Sequence, residues 1–287
     1  MSPVSSTGAL VIGEALVDIV HRVGQDDVAL PGGSPLNVAV GLARLGIPTM
    51  LHAAFGTDVH GQMVADHLVA SGVIPTRGTV GTAATSVAEA TIDVDGGASY
   101  DFRIAWDPAP IDARGYDLVH TGSIGAALDP GAARVEAALA TATGLVSFDP
   151  NIRPALMPED ALARVERIVA LSDVVKASDE DLAWLYPGAS VDDVLVRWFA
   201  FGPRLVVVTR GDSGADALSA DGRAHIEAPP TTVADTIGAG DSFMAGLLTH
   251  VLERGFGEIQ KTLAFASRCA AITVSRPGAD PPWRAEL

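Results

Sequence analysis

The sequence predicts an α/β fold in which a mostly parallel sheet is covered by helices on both faces. From about residue 117 onward, short apolar strands alternate with helical segments, which is the pattern of repeated βα units. Apolar residues make up 48% of the 287 residues, enough for a large core. Two β-branched, alternating segments at 85–93 and 98–103, joined by the turn Asp95-Gly96-Gly97, interrupt this rhythm and predict a hairpin outside the main sheet.

The N-terminal part of the chain predicts strands and two helices before this hairpin. Residues 9–20 (ALVIGEALVDIV) begin as a buried strand and continue with alternating residues. Ser34 and Pro35 are typical of an N-cap and a first helical position, so the apolar stripe after them predicts a helix. A short strand near 50–55 and a helix around 61–71 follow.

The rest of the chain predicts strands and helices in regular alternation. Four apolar runs predict strands of the main sheet: 117–123 (DLVHTGS), 145–150 (LVSFDP), 173–178 (DVVKAS) and 204–211 (RLVVVTRG). Two further short strands are predicted near 214–219 and 223–227. The helices are predicted at 130–141, 159–171, 179–185, about 241–253 and 257–274. No internal repeat or linker is visible, so residues 1–287 are predicted to form a single domain.

Residues 235–248 (DTIGAGDSFMAGLL) carry the clearest chemical signal. Gly238 and Gly240 let the backbone turn so that successive N–H groups, including that of Ala239, point the same way at the start of a helix. Such a turn binds anions and suits nucleotide phosphates. Asp241 would repel a phosphate but can act as a general base toward an attacking hydroxyl. A glycine-containing loop capped by an aspartate explains these residues equally well when they are taken alone.

Two long motifs, about 200 residues apart, resemble the signatures of one enzyme family. GGSPLNVAVGLARLG at 32–46 resembles the N-terminal signature, and DTIGAGDSFMAG the C-terminal signature, of the ribokinase-like (PfkB-type) carbohydrate kinases. The resemblance extends from VIGEALVDIV at 11–20 to VSRPGADPPW at 274–283. It implies a ribokinase-like three-layer sandwich in which residues of about 16–31 and 85–106 form a small β-strand lid over a sugar.

The resemblance implies a sugar site built from Asp18, Gly32, Gly33, Asn37 and Arg103. Asp18 is predicted to end the first strand, where an open α/β sheet places its ligand crevice. The two glycines permit close approach of a ligand, and Asn37 is an unusual residue in the first turn of an apolar helix. Arg103, in YDFRIAWDP, resembles the aromatic-x-Arg segment of fructokinase-like and ketodeoxygluconate-kinase-like members. A solvated arginine on an edge strand is the alternative for this residue.

The segment Asp149-Pro150-Asn151-Ile152-Arg153 resembles the DPNxR sequence of fructokinases and ketodeoxygluconate kinases. A guanidinium group at Arg153 is suited to neutralising charge that develops on a transferred phosphoryl group. A structural salt bridge is the alternative role.

The resemblance also implies metal sites. SDED at 178–181 occupies the place of the family's NxxE motif, which arranges water-bound Mg²⁺, so Asp181 is expected to act on Mg²⁺ through water. The same residues form a good helix N-terminus. Asp235, Thr236 and the turn 276–279 are similar to the elements that hold a monovalent cation, K⁺, beside the anion-binding turn.

The expected ATP contacts are Lys176, Thr209, Gly211, Ser267 and the glycines at 238 and 240. Thr209 and Gly211 end the predicted strand 204–211, and Ser267 stands where ribokinase-type members often have an asparagine near the adenosine. Neither of the two lysines follows a glycine, which excludes a Walker-type phosphate loop. No HRD or DFG triplet occurs, so a protein kinase is excluded as well.

Composition excludes several other classes of protein. The formal net charge of −16 disfavours nucleic acid as a partner. Neither a membrane-length apolar run nor a basic N-terminal region occurs, and the lone Cys269 cannot form an internal disulfide, so a cytoplasmic protein is expected. The seven histidines lack metal-ligand spacing and are interpreted as structural. No GxGxxG follows the first strand, which argues against a dinucleotide-dependent oxidoreductase.

Together these features predict an ATP- and Mg²⁺-dependent kinase acting on the primary hydroxyl of a small sugar. GEALVDI, the N-terminal signature and DPNIRP favour fructose, with 2-keto-3-deoxygluconate next, followed by ribose and nucleosides. A non-catalytic sugar-binding regulator would be expected to have lost the base or the glycine turn, and both are present. The lid's outer face needs cover, and family members often pair two lids across a two-fold axis, so a homodimer is expected.

Overall fold

The computed structural model describes residues 8–22, 24, 26–92 and 98–287. In these ranges the strands are β1 (Ala9–Ile12), β2 (Leu16–Arg22), β3 (Val28–Gly32), β4 (Thr49–His52), β5 (Ile74–Pro75), β6 (Ser86–Ile92), β7 (Ala98–Arg103), β8 (Leu118–Gly122), β9 (Leu145–Asp149), β10 (Val174–Ser178), β11 (Leu205–Thr209), β12 (Ala215–Ser219) and β13 (Gly222–Ile226). The α-helices are α1 (Ser34–Arg44), α2 (Val59–Ser71), α3 (Ser123–Ala127), α4 (Gly131–Leu139), α5 (Ala161–Ala170), α6 (Asp179–Leu185), α7 (Val191–Phe199), α8 (Ala239–Arg254) and α9 (Ile259–Val274).

The strands form one large sheet and one small sheet. The large sheet has the order β13-β12-β11-β10-β9-β8-β1-β4-β5 and is parallel except for β12 and β13. The small sheet has the order β3-β2-β6-β7 and contains both hairpin strands. The predicted α/β class with a mostly parallel main sheet is therefore confirmed. The predicted hairpin turn at 95–97 lies outside the described residues.

Helices cover both faces of the large sheet and create two cores. Because successive side chains of a strand point to opposite faces, Val174 and Val207 join the core under α1, α8 and α9. Their neighbours Val175 and Val206 join the core under α3 to α7. The result is a sandwich of three layers, as predicted. Within the described ranges, none of the helices combines the length and apolarity needed to cross a lipid bilayer.

Two glycines allow α8 to pack closely against α1 and α9. A Cβ added to Gly41 of α1 would lie 2.6 Å from the Cβ of Ala245, and one added to Gly246 would lie 2.9 Å from Sγ of Cys269 on α9. The backbones can approach this closely because the glycines lack side chains. This packing fixes the N-terminal end of α8 beside that of α1.

The structure corrects three sequence predictions. The segment 9–20 is split: β1 ends at Ile12, the chain leaves the large sheet after Gly13, and Asp18 lies inside β2 of the small sheet instead of ending the first strand. A Cβ at Gly13 would meet Cγ of Pro35 at 2.2 Å, so this glycine permits the close passage of the chain over α1. Ser34 begins α1 as its first residue, and Gly33 is the N-cap, without a side-chain capping bond. Helices α3 and α7 were not predicted.

Candidate active site

The N-terminus of α8 places Asp241 against the first turn of α1. Gly238 is the N-cap with a left-handed φ of 74°, and a Cβ there would lie 2.6 Å from the Cβ of Ala279. The first backbone N–H groups of a helix have no intrahelical acceptor, so they are available to an anion. Asp241 is 7% exposed in this first turn.

Two side chains of α1 hold the carboxylate of Asp241. Ser34 Oγ donates to Oδ1 at 2.6 Å, and Asn37 Nδ2 donates to Oδ2 at 2.8 Å. The Ser34 hydroxyl is engaged by Asp241, which explains why it does not cap α1. Asn37 Oδ1 is buried without a hydrogen-bond partner in the described part of the chain, so the amide can accept a ligand hydroxyl while its nitrogen holds the carboxylate. Sequence reasoning missed Ser34 as a site residue because the bond spans 207 positions.

Asp18 lies on β2 of the small sheet, close enough to Asp241 for the two charges to interact. Burial raises its pKa to about 6, while Arg153 acts to lower the pKa and Asp241 to raise it further. A Cβ on Gly32 would lie 1.9 Å from Asp18 Oδ2, and Gly33 has a φ of 105°. The structure therefore brings Asp18, both glycines and Asp241 together.

Arg103 is placed differently from the other expected sugar contacts. Its side chain is 61% exposed and forms an ion pair with Glu89 on the adjacent strand β6. This placement agrees with the alternative of a solvated edge-strand arginine.

Arg153 lies on the loop after β9. Its Nη1 donates to Asn151 Oδ1 at 2.7 Å and to the carbonyls of Asn151 and Ile152, both at 3.2 Å, and Asn151 has a left-handed φ of 36°. The guanidinium is exposed, yet it acts to lower the pKa of both Asp18 and Glu14. An exposed cation therefore lies within electrostatic range of both carboxylates.

Glu14 is a buried carboxyl group that sequence reasoning did not identify as a site residue. It is 2% exposed, and its Oε2 accepts the N–H of Gly125 at 2.7 Å. Burial raises its pKa to about 7, although hydrogen bonds from its own backbone, Gly125 and Ser123 and the charge of Arg153 act to lower it. The available signal was a charged residue two positions after the end of a buried strand.

Lys176 and Asp149 form a buried ion pair below the anion-binding turn. Lys176 Nζ lies 2.8 Å from Asp149 Oδ2, and the two side chains are 5% and 0% exposed. A Cβ added to Gly240 would lie 2.9 Å from Nζ, so the ammonium group is next to the glycine turn. Burial acts to lower the pKa of Lys176, but the nearby carboxylates outweigh it and raise the pKa. Burial raises the pKa of Asp149 to about 6, opposed by Lys176.

Asp181 connects α6 to the loop of Arg153. Its Oδ2 accepts the N–H of Ser178 at 2.8 Å in a capping box, and its Oδ1 accepts the N–H of Ile152 at 2.7 Å. No group of three or more His, Cys, Asp or Glu side chains in the described ranges could hold a metal ion. Mg²⁺ commonly uses one or two carboxylates together with substrate phosphates and water, so a single acid near Lys176 fits an ion that arrives with a nucleotide.

The remaining expected contacts lie in three places. Thr209 and Gly211 lie at the end of β11, where Thr209 Oγ1 donates to the carbonyl of Ala177 at 3.3 Å. Ser267 is buried in α9. Asp235 joins the glycine turn to the turn 276–279, because its two oxygens accept the N–H groups of Ile237 at 3.0 Å and Gly278 at 2.9 Å.

Comparison with known proteins identifies a family and several relatives. The model of the pfkB family carbohydrate kinases matches residues 6–286. The chain is 34% identical over 258 residues to a fructokinase of Rhizobium leguminosarum bv. trifolii, covering 84% of this chain and 79% of that protein. It is 32% identical over 288 residues to a fructokinase of Klebsiella pneumoniae, covering 94% of each.

Solved structures with bound ligands are also similar. The fructokinase of Vibrio cholerae O395 bound to fructose, ADP and a calcium ion superposes with a TM-score of 0.82 at 28% identity, covering 94% of both chains. A double mutant of that enzyme binds fructose, ADP and a potassium ion. The aminoimidazole riboside kinase of Salmonella enterica, complexed with aminoimidazole riboside and an ATP analogue, has a TM-score of 0.81 at 26% identity over 94% of both chains.

Proposed function

Since the chain belongs to the pfkB family of carbohydrate kinases and is therefore a phosphotransferase, we propose that it transfers the γ-phosphoryl group of ATP to the primary hydroxyl of fructose. The observation that carries this proposal is the carboxylate of Asp241, buried in the first turn of α8 and held by Ser34 and Asn37. Fructose is favoured because the fructokinase relatives match over most of their length.

In the proposed reaction the sugar lies between the small sheet and α1. Asp18 and Asn37 hydrogen-bond its hydroxyls, and Gly32 and Gly33 allow its close approach. Asp241 takes the proton of the primary hydroxyl as its oxygen attacks the γ-phosphorus. The bond from that phosphorus to the bridging oxygen breaks, and ADP leaves.

The groups around the transferred phosphoryl stabilise its negative charge. The N–H groups of Gly238, Gly240 and Asp241 would donate to it from the start of α8, while the N–H of Ala239 donates to the carbonyl of Thr236 at 3.3 Å. Arg153 adds a guanidinium from the opposite side, where its charge already acts on Asp18. Lys176 contacts the phosphates from below the turn.

The nucleotide is proposed to lie along the ends of β10 and β11. Thr209 and Gly211 contact its phosphates or ribose, and Ser267 marks the adenosine end through α9. Mg²⁺ would be held by the phosphates and by Asp181 through water, and it would supply charge neutralisation on the phosphates. K⁺ is proposed beside Asp235 and the turn 276–279, supported by the link that Asp235 makes between the two turns.

We propose one domain over 1–287, in which the small sheet closes over the sugar and excludes water. In this arrangement Arg103 would leave Glu89 and contact the sugar when the lid closes.

The edge strand β3 leaves Val28 and Leu30 about half exposed, at 44% and 48%, which supports a homodimer joined through the lids. A monomeric mass by light scattering at micromolar concentration, with full activity, would contradict the dimer. Two features favour a cytoplasmic location: the proposed substrates are ATP and a sugar, and the sequence has a single cysteine.

A riboside is the second candidate acceptor, because the riboside kinase structure is about as similar as the fructokinase structures. ADP release measured with fructose, 2-keto-3-deoxygluconate, ribose and aminoimidazole riboside distinguishes the acceptors. We expect the highest kcat/KM with fructose. An identically purified Asp241→Asn protein controls for contaminating kinases, and a higher kcat/KM for any other acceptor would overturn the assignment of fructose.

A further inference from the structure

Lys176 is a single ammonium group surrounded by carboxylates. Asp149 contacts it at 2.8 Å, and the charges of Asp181 and Asp241 also act on it. Without this cation, the triphosphate of a nucleotide would approach three acids close to the glycine turn. The position of Nζ therefore decides whether the phosphates meet a positive or a negative group.

Burial of this pair is a poor way to gain stability. Two charges lose their hydration when they are buried, and apolar residues of similar volume often stabilise a core as well or better. Asp149 Oδ1 is moreover buried without a hydrogen-bond partner in the ranges that the structure describes. The pair is therefore better explained by a role at the glycine turn than by stability.

The sheet register fixes which acid can reach Lys176. In the pairing of β9 with β10, Ser147 lies opposite Val174 and Phe148 opposite Val175, which brings Asp149 and Lys176 side by side at the strand ends. A lysine side chain is a flexible four-carbon stem, so an ammonium group without a partner would occupy many positions. Asp149 restricts it to the one beside Gly240.

We propose that Asp149 is a positioning residue for phosphoryl transfer, which holds the ammonium group of Lys176 against the glycine turn so that it meets the nucleotide phosphates. This inference rests on the proposed function. It differs from a role in sugar binding, because Asp149 acts on the nucleotide through Lys176. Negative charge at position 149 is not sufficient in this proposal, because the side chain must also have the length that lets its carboxylate contact Lys176.

A double-mutant cycle tests the proposal. We expect Asp149→Asn to lower kcat/KM for ATP by roughly ten- to a hundred-fold, since it weakens a hydrogen bond between charged groups, while the Kd for fructose stays unchanged. Lys176→Met should lower it at least as much, and the double variant should be no worse than Lys176→Met alone. Additive losses, or an equal loss of fructose affinity, would overturn the proposal.

Two further variants separate positioning from folding and from general loss of an ion pair. Asp149→Glu keeps the charge but changes the reach, so we expect reduced kcat/KM for ATP with fructose binding retained; wild-type kinetics in this variant would contradict positioning. Asp129→Asn removes the negative charge of one partner of Arg164, which lies at the same 2.8 Å distance outside the site, and it should leave kinetics unchanged. Calorimetry with ADP alone measures the effect of each variant on nucleotide affinity even if fructose is the wrong acceptor. Failure of the proposed function is recognised separately, because the wild-type protein would then be inactive with fructose.

Discussion

Replacing Asp241 with asparagine should remove most turnover and leave the fold and both binding sites in place. In Asp241→Asn the amide oxygen can still accept from Asn37, and the amide nitrogen can donate to Ser34, because a hydroxyl group both donates and accepts. The side chain therefore keeps its position but cannot take up the proton of the acceptor hydroxyl. Removal of a general base typically lowers the rate by about 10²–10⁴.

The expected change in stability is small because two effects oppose each other. A hydrogen bond to a charged group contributes about 1.5–3 kcal/mol and a neutral one about 0.5–1.5 kcal/mol, so two bonds together lose roughly 2 kcal/mol. Asp241 raises the pKa of Asp18 and Asp149, however, so its removal relieves repulsion and offsets part of this loss. Since about 1 kcal/mol shifts Tm by roughly 2–4 °C in a large domain, Tm should fall by less than about 8 °C.

The assay is ADP release at saturating ATP and fructose, with fructose affinity measured by calorimetry and Tm by circular dichroism. Ser34→Ala is the matched control, because it removes one bond to the carboxylate but keeps the base, and it should retain far more activity than Asp241→Asn. Wild-type turnover by a folded Asp241→Asn protein would refute the assignment of the base. Loss of fructose binding together with turnover would instead make Asp241 a binding residue.

Three further predictions follow from the site. Arg153→Ala should lower kcat more than it weakens fructose binding, because its charge is needed most in the transition state; a lost fructose affinity with unchanged kcat would move it to the sugar site. Gly32→Ala should raise the KM for fructose strongly with little effect on ATP, since the new Cβ would lie 1.9 Å from Asp18 Oδ2, and a wild-type KM would contradict the placement of Asp18. The pKa of Glu14 is raised from 4.5 to about 7. The stability that this group adds to the fold is therefore complete below pH 4.5 and is lost as pH rises through 7. Urea titrations of Glu14→Gln should therefore show a smaller decrease in unfolding free energy from pH 5 to 8 than the wild type shows, and identical decreases would argue against this shift.

Local signals in the sequence predicted elements well where the chemistry was also local. The acidic run after Ser178 predicted a helix at 179–185, and α6 has these bounds because its capping box is formed by neighbouring residues. Helix α7 carries a similar signal, a capping box from Ser190 to Asp193, which the apolar pattern alone did not reveal.

Contacts between distant segments could not be predicted in this way. Ser34 has the residue type of a cap, but its partner Asp241 is 207 positions away and only the packing of α1 on α8 brings them together. Asp149 was read as part of a motif, and its pairing with Lys176 depends on the register of two strands. Likewise, the turn that moves Asp18 from the large sheet to the small one depends on Gly13 passing over Pro35.

The close contact of α8 with α9 also makes the chain suitable for thiol labelling. Cys269 is the only cysteine, its Sγ is packed against Gly246, and burial raises its pKa to about 12, although Arg284 and Arg268 act to lower it. A thiol of this kind is almost entirely protonated and inaccessible at neutral pH, so it does not compete for maleimide reagents. A cysteine introduced at Val28 on β3 would take up a fluorophore selectively, without prior removal of the native cysteine, and could report movements of the small sheet. In the unmodified protein, slow reaction of Cys269 would measure how often the two helices separate.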